Sequence, residues 1–155
     1  MMTKIDPKDV QRLRSESGAG VMDCKRALEE TGGDYAKALA LIKERGIQSV
    51  AKKSEREAKE GLIASYIHSG GRIGALVELA SETDFVSRGD EFQKLAQEIA
   101  MQVAAMNPAS VEELLRQPYI RDASKTIKDL VTTVAASTKE NVHVRRFQRF
   151  ALGES

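Results

Sequence analysis

Three side chains have the chemistry for covalent work: Cys24, His68 and His143. A thiol or hydroxyl becomes a useful nucleophile only when a base or a cationic neighbour draws off its proton. Cys24 falls on the apolar face of a helical pattern, where an unpaired cysteine acts as a small hydrophobe. His68 and His143 lie in strand-like segments that could meet in one sheet, yet no serine or cysteine is spaced to use them. No Cys/His cluster has metal-ligand spacing, and a lone cysteine makes no internal disulfide. The expectation is a chain with no catalytic group, no metal and no cofactor.

Two other patterns bear on binding. Ser17-Gly18-Ala19-Gly20 precedes a helix, as phosphate loops do, but no strand leads into it and no Gly-Lys-Ser/Thr follows. A tight turn between helices is the better reading. Arg145, Arg146 and Arg149 interleave with Phe147 and Phe150, a pattern that can stack on bases. In a sheet with one face covered, such arginines instead point to solvent or pair with acids. RNA association therefore stands as an alternative function, beside a plain protein-interaction module.

The stretch Ser81-Glu82-Thr83-Asp84-Phe85-Val86-Ser87 sets a different problem. It connects an apolar run to a helical pattern, and connections usually carry small polar residues at their tips. Phe85 has two readings here. It can fold back as a staple against the following helix and Phe92, or it can stand out as an anchor for a partner's pocket, where a buried Phe is worth ~1.5–3 kcal/mol. Periodicity does not separate them.

The rest of the chain must position these residues. With 155 residues, 41% hydrophobic and 30% charged, it has room for one ordinary domain or two small ones. Lys+Arg 24 against Asp+Glu 23 leaves a formal charge of +1, without the basic excess of a dedicated nucleic-acid binder. No apolar run reaches the ~18–20 residues of a membrane span, and MMTKIDPKDV does not read as a signal peptide. A cytoplasmic protein that binds neither membrane nor nucleic acid directly is expected.

Residues 1–46 read as a three-helix module. Asp6-Pro7 starts the first helix and Gly18 ends it; Val21, Cys24, Ala27 and Leu28 carry the second to Thr31-Gly32-Gly33. Asp34 caps a third, with Tyr35, Ala38, Leu39 and Ile42 inward, ending at Gly46. Residues 47–60 lose apolar character and alternate charge, as a solvated linker does. Residues 61–155 read as an α+β core. GLIASYIHS and RIGALVELA flank Ser69-Gly70-Gly71 as a hairpin. A helix beginning near Arg88 carries Phe92, Leu95, Ala96, Ile99, Val103 and Met106 inward and stops at Asn107-Pro108. Ser110-Val111-Glu112-Glu113 opens a short helix through Arg116, and Ile127, Leu130, Val131 and Val134 mark another. Val142 and Val144 alternate but Phe147 is out of phase, which predicts a final strand bulged near Arg145-Arg146. That strand and the hairpin make a three-stranded antiparallel sheet packed against helices.

Three ordered signatures resemble the elongation factor Ts family. They are Leu13-Arg14 with Ser17 through Leu28, then Glu82-Thr83-Asp84-Phe85-Val86, then Asn141-Val142 with Val144-Arg145-Arg146-Phe147. His68 to Gly74, Gln117 to Ile120 and Ser124 to Thr126 agree further, so the resemblance spans nearly the whole chain. It implies an N-terminal module like ubiquitin-associated (UBA-like) domains and a guanine-nucleotide exchange factor for the GTPase elongation factor Tu, with no covalent chemistry. Thr83, Asp84, Phe85 and Val86 would press on the partner near its Mg²⁺. Arg14, Val21 and Met22 would dock the N-terminal module; Val21 stands where the family more often has methionine, which implies a smaller contact. After Asn107-Pro108 the chain is shorter than is usual in the family. Short members pair, so the resemblance also implies a homodimer.

Overall fold

The structure, a computed structural model, describes residues 4–154 apart from the side chains of residues 47 and 49–51. Its elements run α1 (Pro7–Ser17), α2 (Val21–Glu30), α3 (Tyr35–Lys53), β1 (Glu60–Ile67), β2 (Ile73–Ser81), α4 (Asp84–Ser87), α5 (Asp90–Met106), α6 (Val111–Arg116), β3 (Pro118–Tyr119), β4 (Asp122–Thr126), α7 (Ile127–Thr138) and β5 (His143–Ala151). The class is α+β, as the periodicities predict. Contacts divide the chain into two compact units, one of Met1–Glu55 with Thr132–Lys139, the other of Arg56–Val131 with Glu140–Ser155. The second half of α7 thus groups with the N-terminal helices.

In the first unit, the caps are where the residue types put them. Asp6 Oδ1 accepts from the Lys8 N–H at 2.9 Å, and Asp34 Oδ1 accepts from the Lys37 N–H at 3.1 Å. Gly18 ends α1 in the left-handed region, and its N–H donates to the Arg14 carbonyl. Leu13, Cys24, Ala27, Leu28, Ala38 and Ile42 close the core, with Tyr35 and Leu39 partly buried against it. Burial pushes the Cys24 thiol above its ordinary pKa, the opposite of what a nucleophile needs. Val21 is exposed at the start of α2. One expectation differs from the structure. α3 passes through Gly46 and runs to Lys53, because Gly46 keeps a helical backbone and no proline or left-handed residue follows to stop it.

The second unit is built on a sheet of order β1-β2-β5, antiparallel throughout. The hairpin turn lies at the expected glycines, with Gly70 and Gly71 at positive φ and the His68 N–H donating to the Ile73 carbonyl at 2.9 Å. Ala64, Ala75, Val77, Leu79 and Val144 form a buried inner face, and α5 covers the sheet with Phe92, Leu95, Ala96, Ile99 and Val103. Met106 ends α5 exposed rather than inward. The β5 bulge is real: Leu79 opposes Val144 while Glu78 opposes Arg146, so Arg145 is the extra residue. Both arginines then reach Glu78, at 3.4 Å and 3.0 Å.

Other sequence expectations give way. His143 opposes Ala80 at one end of β2, whereas His68 sits at the Ile73 end, so the two histidines are on the order of 20 Å apart along the strand. The β3–β4 hairpin carries too little apolar alternation to be read from sequence. It is tied instead by the buried Gln102, whose Nε2 donates to the Pro118 carbonyl at 3.1 Å and whose Oε1 accepts from the Ile120 N–H at 3.1 Å. Tyr119 Oη adds a hydrogen bond to Glu98 on α5.

Gly61 marks the tightest place in the hairpin. Its φ is +141°, and a Cβ there would lie 2.1 Å from the Leu79 carbonyl oxygen of the paired strand. Gly61→Ala should lower unfolding free energy by about 2 kcal/mol or more, read as a fall in the urea midpoint.

Candidate functional site

The site forms where β2 runs out. Its last residues pair with the beginnings of both neighbours, Ser81 with Glu60 on β1 and Ala80 with His143 on β5. The chain then leaves the sheet beside residues 140–141, which lead into β5. A connection leaving a sheet edge has donors without ladder partners, and buried or half-buried donors must find others.

They find Glu140. The backbone N–H groups of Glu82 and Thr83 both donate to Glu140 Oε1 at 3.0 Å, and the Thr83 hydroxyl donates to Glu140 Oε2 at 2.7 Å. The favour is returned next door, where the Asn141 N–H donates to Glu82 Oε2 at 2.6 Å. Asn141, itself buried, passes its side-chain N–H to the Arg56 carbonyl at 2.8 Å, and the Arg56 guanidinium lies 3.7 Å from Glu82. Ser81, fully buried, donates its hydroxyl to the Thr83 carbonyl at 2.9 Å. Each segment's carboxylate therefore holds the other's backbone.

On this footing stands α4, a single helical turn where sequence alone suggested a loop. Thr83 has extended backbone and caps the turn, its Oγ1 accepting from the Val86 N–H at 3.3 Å. Asp84 sits in the first turn, where a negative charge suits the exposed N–H groups, and pairs with Arg88 at 3.3 Å. Ser87 is buried and donates to the Asp84 carbonyl at 3.1 Å; the Gly89 N–H closes the turn on the Val86 carbonyl. Val86 is half-buried, so the turn rests on the unit by one side.

Phe85 faces the other way and is 87% exposed. The staple reading fails on that number, since Phe92 on α5 is buried without it. Holding an aromatic ring in water on a capped, clasped turn forgoes roughly 1.5–3 kcal/mol of burial. Such a ring is available to another molecule.

In the other compact unit, Arg14 lies on the last turn of α1, and Val21 and Met22 open α2 beyond Gly18-Ala19-Gly20. All three are exposed, Met22 by 59% and Val21 by 46%. Behind them Ser17 donates its hydroxyl to the Leu13 carbonyl at 2.6 Å and accepts from the Ala19 N–H at 3.2 Å, which ties the turn to the end of α1. Val21 and Met22 present exposed apolar side chains at the start of α2, and Arg14 an exposed guanidinium in the last turn of α1. Among the described residues no group of His, Cys, Asp and Glu could hold a metal ion, and no helix is long and apolar enough to cross a membrane.

Glu140 and the reciprocal Glu82–Asn141 bond escaped sequence reasoning. Asn141 was visible as the head of a motif, but nothing in its neighbourhood announces a partner so far away in the chain. The arginines of β5 are also spoken for: besides the Glu78 pairings, Arg149 is turned inward and its Nε donates to the Ala104 carbonyl at 3.0 Å.

Comparison with known proteins gives a consistent result. A family model described as Elongation factor TS matches residues 82–155, which include the exposed turn, Glu140 and β5. The chain is 42% identical to elongation factor Ts of Synechococcus elongatus over 199 residues, covering 99% of this chain and 90% of that protein. It is 40% identical to elongation factor Ts of Anaeromyxobacter dehalogenans over 198 residues, with 99% and 90% covered. With elongation factor Ts of a Nostoc species the identity is 48% over 151 residues, 97% of this chain and 48% of the relative. The first of these alignments exceeds the chain's 155 residues by 44, so that relative has segments this chain lacks.

Proposed function

Because the chain belongs to the elongation factor Ts family and so serves translation elongation, we propose that it is the guanine-nucleotide exchange factor for elongation factor Tu, binding the GDP form and expelling GDP. The observation that carries this reading is Phe85, 87% exposed on a braced turn with Thr83, Asp84 and Val86 around it. A GTPase holds GDP through backbone donors and a Mg²⁺ that neutralises phosphate charge. An aromatic ring driven between the segments that carry those contacts weakens metal and phosphate binding together. Asp84 brings a negative charge to the same place, which disfavours retention of phosphate.

Reciprocity governs the rest. Whatever factor the exchange protein takes from GDP affinity, GDP takes from affinity for the exchange protein. A ternary intermediate can then shed either ligand, and GTP enters the vacated site. No bond is made or broken, so the protein is not an enzyme in the covalent sense and uses no cofactor. A role in translation elongation supports a cytoplasmic location in this reading. Direct nucleic-acid binding is disfavoured by the engagement of Arg145, Arg146 and Arg149 within the protein.

Residues 1–46 act in this reading as the UBA-like docking module, with Arg14, Val21 and Met22 as its contact, 47–60 as the connection, and 61–155 as the exchange core. The core also carries the contact for a homodimer. Ile63, Ile67, Leu76 and Phe150 are exposed, and their register puts them on the sheet face opposite α5. A three-stranded sheet with an apolar outer face gains by packing on a second such face about 10 Å away.

Three measurements test these readings. Phe85→Ala should slow release of fluorescent GDP from elongation factor Tu roughly ten- to hundredfold at saturating factor, the equivalent of losing one buried Phe. Met22→Ala should weaken complex formation about fivefold, measured by calorimetry, and leave the saturated release rate close to wild type. Sedimentation should find a particle of twice the 17.0 kDa chain mass, and Leu76→Glu should return it to a monomer.

A further inference from the structure

We propose that Glu140 is a positioning residue for nucleotide exchange: its carboxylate sets the Thr83–Val86 turn, and through it the direction of Phe85. The proposal rests on the exchange reading above and adds a residue to it.

A four-residue helix has no stability of its own, since nucleation costs more than one turn returns. Something outside α4 must hold it, and three of the bonds that do so converge on one side chain. Two backbone donors and a hydroxyl, from Glu82 and Thr83, meet the two oxygens of Glu140. The Thr83 hydroxyl is the relay. It donates to Glu140 at 2.7 Å and accepts from the Val86 N–H at 3.3 Å, so the clasp continues into the cap of the turn that carries Phe85. Glu140 is aimed by its own chain: Lys139 takes a left-handed backbone after α7, and Asn141 behind it is fixed to Glu82 and to the Arg56 carbonyl.

The exposure of these groups separates positioning from bulk stability. Thr83 is exposed and Glu140 half-buried, so donors freed by removing the carboxylate can turn to water. The core beneath, with Leu79, Ser81 and Val142 buried, keeps its packing. What is lost is the order of the turn, and a wedge that must be ordered during each encounter inserts less often.

Stopped-flow release of fluorescent GDP from elongation factor Tu, with the full chain as factor, tests this alongside thermal unfolding. Glu140→Ala should lower the saturated release rate about tenfold, the equivalent of ordering one more residue, with little change in half-saturating concentration. In a Phe85→Ala background the same substitution should cost nothing further, because it acts through that ring. Glu140→Gln should recover most of the rate: the amide oxygen accepts both backbone N–H groups and the amide nitrogen donates to Thr83 Oγ1. Should Glu140→Ala fold poorly, Thr83→Val cuts the relay alone and should show the same loss and the same dependence on Phe85. An unimpaired Glu140→Ala beside an impaired Phe85→Ala would overturn the proposal, as would full additivity or a Gln variant as slow as Ala. An unimpaired Phe85→Ala would instead sink the exchange reading itself, and this proposal with it.

Discussion

The carboxylate clasp between residues 82–83 and 140–141 is the constraint on which the exposed turn depends. Sheets end by leaving backbone donors and acceptors without partners, and here the exit from β2 and the entry to β5 satisfy one another. Glu140 takes the donors of Glu82 and Thr83 while Glu82 takes the donor of Asn141. The arrangement resembles a helix capping box in its reciprocity, but it joins segments far apart in the chain. Charged acceptors on backbone donors make short, directional bonds, which suits a joint that must hold an angle.

Strand pairing is what brings these groups together. β2 and β5 are hydrogen-bonded neighbours, and the bulge at Arg145 adjusts their register at the clasped end. Beyond the bulge, Leu79 and Val144 remain in step on the buried face, so the residues leading into β5 arrive beside the end of β2. The same bulge lets Arg145 and Arg146 share Glu78, which offsets part of their charge. These exposed pairs add little to stability. Their consequence is for what the surface can recruit.

Apolar side chains are divided between two duties. Those on the inner sheet face and on α5 build the core. Phe85, Met22, Val21 and the outer-face residues Ile63, Ile67, Leu76 and Phe150 remain exposed. A solvent-exposed ring on a mobile loop would collapse onto the nearest apolar surface; on a capped turn braced from below it stays available. The proposed exchange activity and the proposed pairing therefore draw on the same physical resource, hydrophobic area withheld from folding.

Much of this was legible in the sequence because it is local. Asp6, Asp34, Ser110 and Gly18 act within a few residues of themselves, and 2.0 and 3.6 periodicities report which faces are apolar. The Phe147 phase error revealed the bulge, and the ordered motifs pointed to the family before any geometry was known. Tertiary structure alone decided the direction of Phe85, the separation of His68 from His143, the β3–β4 hairpin built around Gln102, and the role of Glu140. Each of these turns on a contact between residues distant in the chain, and a linear pattern carries no record of which distant groups will meet. Local chemistry wrote the elements; long-range hydrogen bonding and packing chose where their side chains would point.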